Sequence, residues 1–409
     1  MSNESAEVPT NRPNNLAISS TASGWAIGVL SLAAFVIVTT EFIIVGLIPA
    51  LSKDLGISIS MAGQLVTIFA FTIALAGPFM TACLSRYERR QLFVWILVAF
   101  AVCNAAAALS PNYWTLMVAR LIPAALVPVF WGIGSDAAGQ IVRKEKAGKA
   151  VAQVYFGVTA ALLFGIPLGT VLGDAVGWRG TFWVLAAISL GMVPILLAVM
   201  PKVPAGPDQS LLTQVSILKS SFFLANLILS LAIFTAMFAA YTYLADMLES
   251  IAGIPSANVG WWLMGFGAVG LVGNYVAGRL VDKYAVQASV LFCVLLAVGA
   301  VSAAVIAEHL IPFIAALAVW GVAHTALFPL SQIRVMNAAT AGKALAGTLN
   351  ISAANAGIGL GALLGGWAIS HGGIAIACFG AGILIGACAI ATPIVERMRP
   401  TSPSTDHHS

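Results

Sequence analysis

Long apolar runs separated by short polar breaks dominate the pattern along this chain. A helix crossing ~30 Å of hydrocarbon needs about 20 mostly apolar residues at roughly 1.5 Å each. That ruler lays twelve spans on the sequence, near 25–49, 61–84, 92–110, 115–139, 149–173, 180–200, 221–245, 259–281, 286–307, 311–333, 344–369 and 373–395. Breaks such as SPNYW (110–114) and SHGG (370–373) are too short to hold a soluble domain. The pattern predicts one all-α, polytopic membrane unit.

The longest polar interruption, PKVPAGPDQSLLTQVSILKSS, begins at Pro201 and carries three prolines and a glycine in its first seven residues. It reads as a linker between two groups of six spans. The expected organisation is an N-terminal tail (1–24), a first six-helix bundle (25–200), the linker (201–220), a second six-helix bundle (221–396) and a C-terminal tail (397–409). Internal similarity supports the division. AGKAVA (147–152) opens span five and AGKALA (341–346) opens span eleven, the equivalent span of each half. Span five continues with Gly165, Gly169 and Gly173, and span eleven with Gly357, Gly361 and Gly365. Each set is a four-residue ladder on one helix face, which lets a neighbouring backbone come close. Tight helix packing explains the ladders, and close glycine faces are also where two halves slide.

Composition agrees: 60% of residues are hydrophobic, 8% are charged, and the mean hydropathy is +0.97. Soluble domains carry about a quarter charged residues. Lysine and arginine placement sets an orientation. With the N-terminus inside, the inner segments hold Arg12, Arg86, Arg89, Arg90, Arg143, Lys144, Lys146, Lys149, Lys202, Lys219, Arg279, Lys283, Arg334, Lys343, Arg397 and Arg399. Only Lys53 and Arg179 fall outside. Both termini are therefore expected in the cytoplasm. The polar first 24 residues lack a basic-then-apolar signal sequence and read as a disordered tail. The net charge of +4 comes from inner loops and reflects membrane orientation, not nucleic-acid binding. The five cysteines all fall in spans, without a CxxC pair, and read as small packing residues.

A few polar residues interrupt the apolar runs. Glu41, in VIVTTEFIIVGL, lies about 12 Å below the outer end of span one. An ionised side chain there costs at least ~2.5–3.5 kcal/mol, so it needs a cavity, a partner or a proton. It is either an acid paired with a cation for assembly, or a proton carrier or substrate contact. Arg120 sits about 8 Å into span four, a depth close to that of Glu41. It either pairs with Glu41 or snorkels to the outer headgroups. Asp136, about 24 Å further along the same helix, either faces the basic loop 86–90 as an inner gate or is an interfacial acid without a role. His324 is either a hydrogen-bonded histidine inside the bundle or a titratable group. Gln64, Asn104, Trp131, Tyr155, Asn226, Tyr241, Tyr243, Asn274, Trp320, Asn350 and Asn355 are the uncharged candidates for a substrate cavity. Together they suit a neutral ligand with hydroxyl or ring groups.

Enzyme chemistry leaves no trace. AGKA at 147 and 341 lacks the earlier glycine of a phosphate-binding loop, since Arg143 and Asn337 stand there. There is no HExxH, and the five histidines form no metal cluster with acids or thiols. No cofactor or metal is expected. Uphill work would draw on an ion gradient, and the lone carboxylate makes H⁺ the expected ion.

Twelve spans, inner termini and a central linker resemble the major facilitator superfamily. GRLVDKY (278–284) is similar to its G-x-x-x-D-R/K signature through Gly278, Asp282 and Lys283. The first-half counterpart LSRYERRQ (84–91) keeps Arg86, Arg89 and Arg90, with Ser85 and Glu88 where an aspartate and a glycine are expected. ARLIPAALVP (119–128) holds Arg120 at the place of the arginine that the family associates with proton coupling. GIPLGTVLGDAVGWRGTF (165–182) resembles the fifth span of antiporters through Gly165, Pro167 and Gly169. TTEFIIVGLIP (39–49) and YTYLADML (241–248) look like the bacterial proton-driven drug-efflux branch, arabinose-efflux-type permeases in particular.

The resemblance implies two pseudo-symmetric bundles around a mid-membrane cavity, in a monomer in the bacterial inner membrane. It implies proton-coupled antiport that exports a sugar or drug-like compound by alternating access. Glu41 and Arg120 would couple the proton. Arg86, Arg89, Arg90, Gly278, Asp282 and Lys283 would form the inner gate, and Asp136 or His324 would serve as a further proton or gate residue. A nucleoside exporter, a symporter, or a membrane sensor without transport are the rival readings.

Overall fold

The computed structural model describes residues 20–143, 146–205, 218–339 and 343–400, leaving aside the side chains at 20–22, 78, 147–149, 152, 155, 158–159, 282 and 343–345. The tails, residues 206–217 of the linker, and the side chains of Tyr155 and Asp282 lie outside the described residues. The helices are α1 (Ser20–Leu55), α2 (Ile59–Leu84), α3 (Arg89–Ala108), α4 (Tyr113–Ile141), α5 (Ala147–Ala160), α6 (Ile166–Val199), α7 (Ser221–Tyr241), α8 (Leu244–Ser250), α9 (Ser256–Val305), α10 (Leu310–Ala338), α11 (Lys343–Gly372) and α12 (Ile374–Arg397). Eleven stretches among the described residues are long and apolar enough to cross a membrane.

Short polar breaks end these helices through local chemistry. Ser58, Asn112 and Ser220 each accept from a backbone N–H in the first turn that follows, at 3.1, 3.1 and 3.3 Å. A side-chain oxygen there satisfies a donor the helix itself cannot. Spans five and six run together in α6 and part only at Gly177, whose φ of +77° is left-handed and suits glycine. Spans eight and nine share α9, interrupted at Tyr284.

Two spans differ from the straight helices that hydropathy predicts. Span five carries a π-turn, Ala161–Gly165, between α5 and α6. Pro167 has no N–H for the carbonyl four residues back, and the wider turn absorbs that misfit. Span seven breaks at Thr242–Tyr243 into α7 and the short α8.

Both glycine ladders pack within their own half. Cβ atoms at Gly165, Gly169 and Gly173 would run into Thr39, Ile43 and Leu47 of α1, a matching four-residue ladder. Those at Gly357, Gly361 and Gly365 would meet Leu231, Thr235 and Ala239 of α7. Spans one and five are thus glued as spans seven and eleven are, an internal two-fold relation. Each ladder thus lies at a helix contact inside one half.

Contacts between the halves come from other faces. Gly260 and Gly267 of α9 sit against Pro167–Val171 and Leu162–Leu163 of span five. Gly359 and Gly366 of α11 sit against Thr67 and Ser60 of α2. The apolar cores show where the halves join. One core unites the second bundle with the part of the first that lies away from the linker, including Val38–Leu51 of α1. A separate core holds the linker-side part of the first bundle, from Ala26–Ile37 to Val203, with no residue of the second. A third, small core fills the linker side of the second bundle around Phe223 and Val335. The apolar core is therefore shared between the bundles at the end away from the linker, called the far end below, and divided at the linker end.

Candidate functional site

Three helices converge on the middle of α1. Arg120 of α4 is 3% exposed, so it does not snorkel to the headgroups. Its Nη2 donates to the backbone carbonyls of Thr40 and Glu41 at 3.2 and 3.0 Å. The guanidinium lies over the Phe69 ring at 4.6 Å, a cation–π contact that α2 adds to the grip. Thr40 Oγ1 donates to Val36 O at 2.9 Å and accepts from Asn104 Nδ2 of α3 at 3.4 Å. Arg120 Nε and Nη1 are buried without a partner.

The ion pair that the matched depths allow is not formed. Arg120 holds the main chain of residue 41, while the Glu41 carboxylate, partly buried, belongs to none of the ion pairs among the described residues. Arg120 Nη2 instead directs both of its N–H donors to neighbouring carbonyl oxygens of α1.

Asp136 does face the basic loop. Its Oδ2 pairs with Arg89 Nη2 at 3.2 Å and accepts from Gln140 Nε2 at 2.8 Å. Arg89 is almost fully buried and also donates to Ser85 O at 2.6 Å. Glu88 caps α3 through the N–H groups of Arg90 and Gln91, at 2.9 and 3.1 Å. It also accepts from Val203 N at 3.1 Å, while Arg89 N donates to Val203 O at 3.0 Å. The loop is thereby tied to α4 and to the start of the linker, all in the first half. In the second half Arg279 stacks on Tyr275 and Lys283 on Tyr284, as Arg86 does on Tyr87. Each stack is local to its own loop. Gly278 stands in open space.

The candidate cavity residues disperse. Tyr241, Trp320 and His324 join one aromatic cluster in the second half. The His324 ring lies 4.4 Å from that of Tyr241 and 5.4 Å from that of Phe238, and Phe266 bridges to Trp320 at 5.6 Å. His324 Nδ1 and Trp320 Nε1 are buried without partners. The cluster meets α1 through Phe42 against Phe238 at 5.9 Å, one residue from Glu41. Trp131 packs edge-on against Phe130, and Gln64 is partly buried on α2. Asn350 donates to Gln332 Oε1 at 2.6 Å, and Asn355 to its own helix at Ile351 O.

Asn226 serves a group that the loop tally misplaces. Arg334 is buried inside α10, where Nη2 donates to Asn226 Oδ1 at 3.1 Å and Nη1 to Thr392 Oγ1 at 3.5 Å. No apolar period marks it, because Arg334 sits at a span end where arginine ordinarily reads as loop. Tyr243 is likewise engaged elsewhere, its Oη donating to Ala362 O at 2.7 Å. At the far end Asp54 accepts from Trp178 Nε1 at 2.9 Å and pairs with Arg179, joining the end of α1 to the turn after span five.

Comparison with known proteins adds the family. The model of the Major Facilitator Superfamily matches residues 30–339 and 229–408. The inner membrane transport protein YdhP of Escherichia coli (strain K12) is 34% identical over 345 residues, covering 84% of this chain and 88% of that protein. A chloramphenicol resistance protein of Streptomyces lividans is 29% identical, over 84% of this chain and 88% of its own. A probable sugar efflux transporter of Pasteurella multocida is 28% identical, over 84% and 85%. Among solved structures, an inward-facing bacterial homologue of the human lysosomal transporter Spinster superposes with a TM-score of 0.78 at 14% identity, covering 95% of this chain and all of that one. By family model, relatives and fold together, this chain is a membrane transporter of the Major Facilitator Superfamily, and not an enzyme.

Proposed function

We propose that this transporter exports a small organic molecule, a sugar or a drug-like compound, in exchange for protons across the bacterial inner membrane. The observation that carries the proposal is the Glu41 carboxyl, free of any ion pair while Arg120 grips its backbone. A carboxylate kept inside a span without an ion-pair contact is costly unless it takes up a proton or meets water. The proton gradient supplies the energy.

The charge bias puts the linker end and both termini in the cytoplasm. The separate cores at that end support a substrate path from the cytoplasm. Substrate enters from inside as Glu41 releases its proton there. The far end then opens, Glu41 takes a proton from outside, and substrate leaves. The protein works as a monomer, each bundle rocking as a unit around its glycine seam. The names of the relatives, a sugar efflux transporter and a chloramphenicol resistance protein, define the substrate classes to test.

Everted membrane vesicles with an acid lumen, so that protons run outward, provide the test, with labelled hexoses and chloramphenicol as probes. At least one probe should accumulate, and a protonophore should abolish the accumulation. Accumulation that survives the protonophore would contradict proton coupling.

A further inference from the structure

The far-end closure has a single side chain at its centre. Tyr243 is fully buried in the break between α7 and α8, with its hydroxyl on Ala362 O of α11. Its ring tip enters a notch made by two glycines from opposite halves. A Cβ on Gly63 of α2 would lie 2.5 Å from Tyr243 Cζ and 2.6 Å from Cε1, and closer still to Oη. A Cβ on Gly366 of α11 would lie 2.5 Å from Oη and 2.8 Å from Ser60 Oγ. Real carbon atoms do not approach so closely, so the ring fits only because both positions lack a side chain. Gly63 belongs to the first half and Tyr243 to the second, so this fit exists only while the far ends are together.

The break supplies the freedom to undo it. The α7 ladder ends in a tighter turn, with Thr242 N–H on Phe238 O at 3.3 Å and Tyr243 N–H on Ala240 O at 3.1 Å, and Thr242 Oγ1 is buried without a hydrogen-bond partner. The seven-residue α8 packs on α1 of the other half as well as on α9. A swing of α8 away from α1 therefore carries Tyr243 with it.

We infer that Tyr243 is the gate residue of the far end, its ring sealing the outer path by seating in the notch between Gly63 and Gly366. It is a positioning residue, since it acts on which side the cavity faces and touches neither proton nor reacting group. The inference rests on the alternating-access reading above.

The test uses Thr67, which is 5% exposed on α2, one turn deeper than Gly63 and against Gly359. In a protein whose five native cysteines are replaced by alanine, Thr67→Cys is probed on intact cells with a membrane-impermeant thiol reagent. Gly63→Ala blocks seating of the ring, so labelling should rise by about tenfold or more and export should fall, because the open state becomes the favoured one. Tyr243→Leu alone takes the ring out of the notch and should raise labelling as Gly63→Ala does. Because both changes empty the same seat, the double variant should label within about threefold of the more reactive single variant. Independent folding defects predict multiplied effects. Unchanged labelling in either single variant, or multiplied effects in the double one, would overturn the inference. Should Gly63→Ala fail to reach the membrane, Tyr243→Leu alone decides at matched abundance: faster labelling than in the parent supports the gate, and an unchanged rate overturns it. A Thr67→Cys side chain that never reacts, even in the parent during export, would contradict alternating access itself.

Discussion

At the residue scale, the arrangement around Glu41 depends on the shape of a guanidinium. Arg120 Nη2 reaches two neighbouring carbonyls of α1 while the ring of Phe69 supports its face. Lysine carries the same charge, but on a compact ammonium that neither stacks as a plane nor forks. A hydrogen bond from a charged group contributes about 1.5–3 kcal/mol, so losing one lowers proton-driven export roughly tenfold or more. Arg120→Lys should therefore reach the membrane at normal abundance yet export poorly, as read by the vesicle assay with an abundance control. Export at the parental rate would show that charge alone suffices. The sequence makes Glu41 and Arg120 visible, because hydrocarbon makes any charge conspicuous. It does not reveal that Arg120 meets the main chain of Glu41 in place of a close ion pair with its carboxylate, since a small rotation of a helix exchanges a side-chain partner for a carbonyl partner.

At the element scale, each half is held by polar ties that hydropathy does not announce. Arg334 is the clearest, with Asn226 of α7 and Thr392 of α12 as its hydrogen-bond acceptors. Asn226→Ala strips the shorter bond from a buried cation and should cost about 1–3 kcal/mol, seen as a lower melting temperature in detergent. Arg334→Met replaces the cation by an apolar group of similar length and should cost less, because no buried charge is left unpaired. The reverse order of stability would mean that Arg334 meets a further group. Glu88 makes the equivalent tie in the first half, capping α3 and holding Val203. Glu88→Ala should cost about 1 kcal/mol through the cap and, with the linker loosened, raise protease cleavage near residue 205. Unchanged proteolysis would limit Glu88 to capping. Span number and the repeat of glycine ladders were readable from sequence because bilayer thickness and backbone approach impose them. The π-turn in span five and the break in span seven were not, since both leave hydropathy unchanged.

At the scale of the whole molecule, one apolar core is shared between the bundles at the far end, and separate cores stand at the linker end. Orientation turns that geometry into a direction of transport. A cysteine at 205–212 should resist an impermeant thiol reagent on intact cells, and one at 253–257 should react, following the excess of lysine and arginine on the linker side. Reaction at 205–212 would invert the direction assigned to every step. The central claim, that the coupling proton rides on Glu41, is tested most directly in liposomes that enclose a pH-sensitive dye. The probe is the compound that the parent protein concentrates in the vesicle assay. A gradient of it should drive protons the opposite way through the parent protein. Through Glu41→Gln, an isostere that cannot release H⁺, the same gradient should move no protons while exchange of labelled for unlabelled probe continues. Proton movement by Glu41→Gln at the parental ratio of protons to probe would contradict the account.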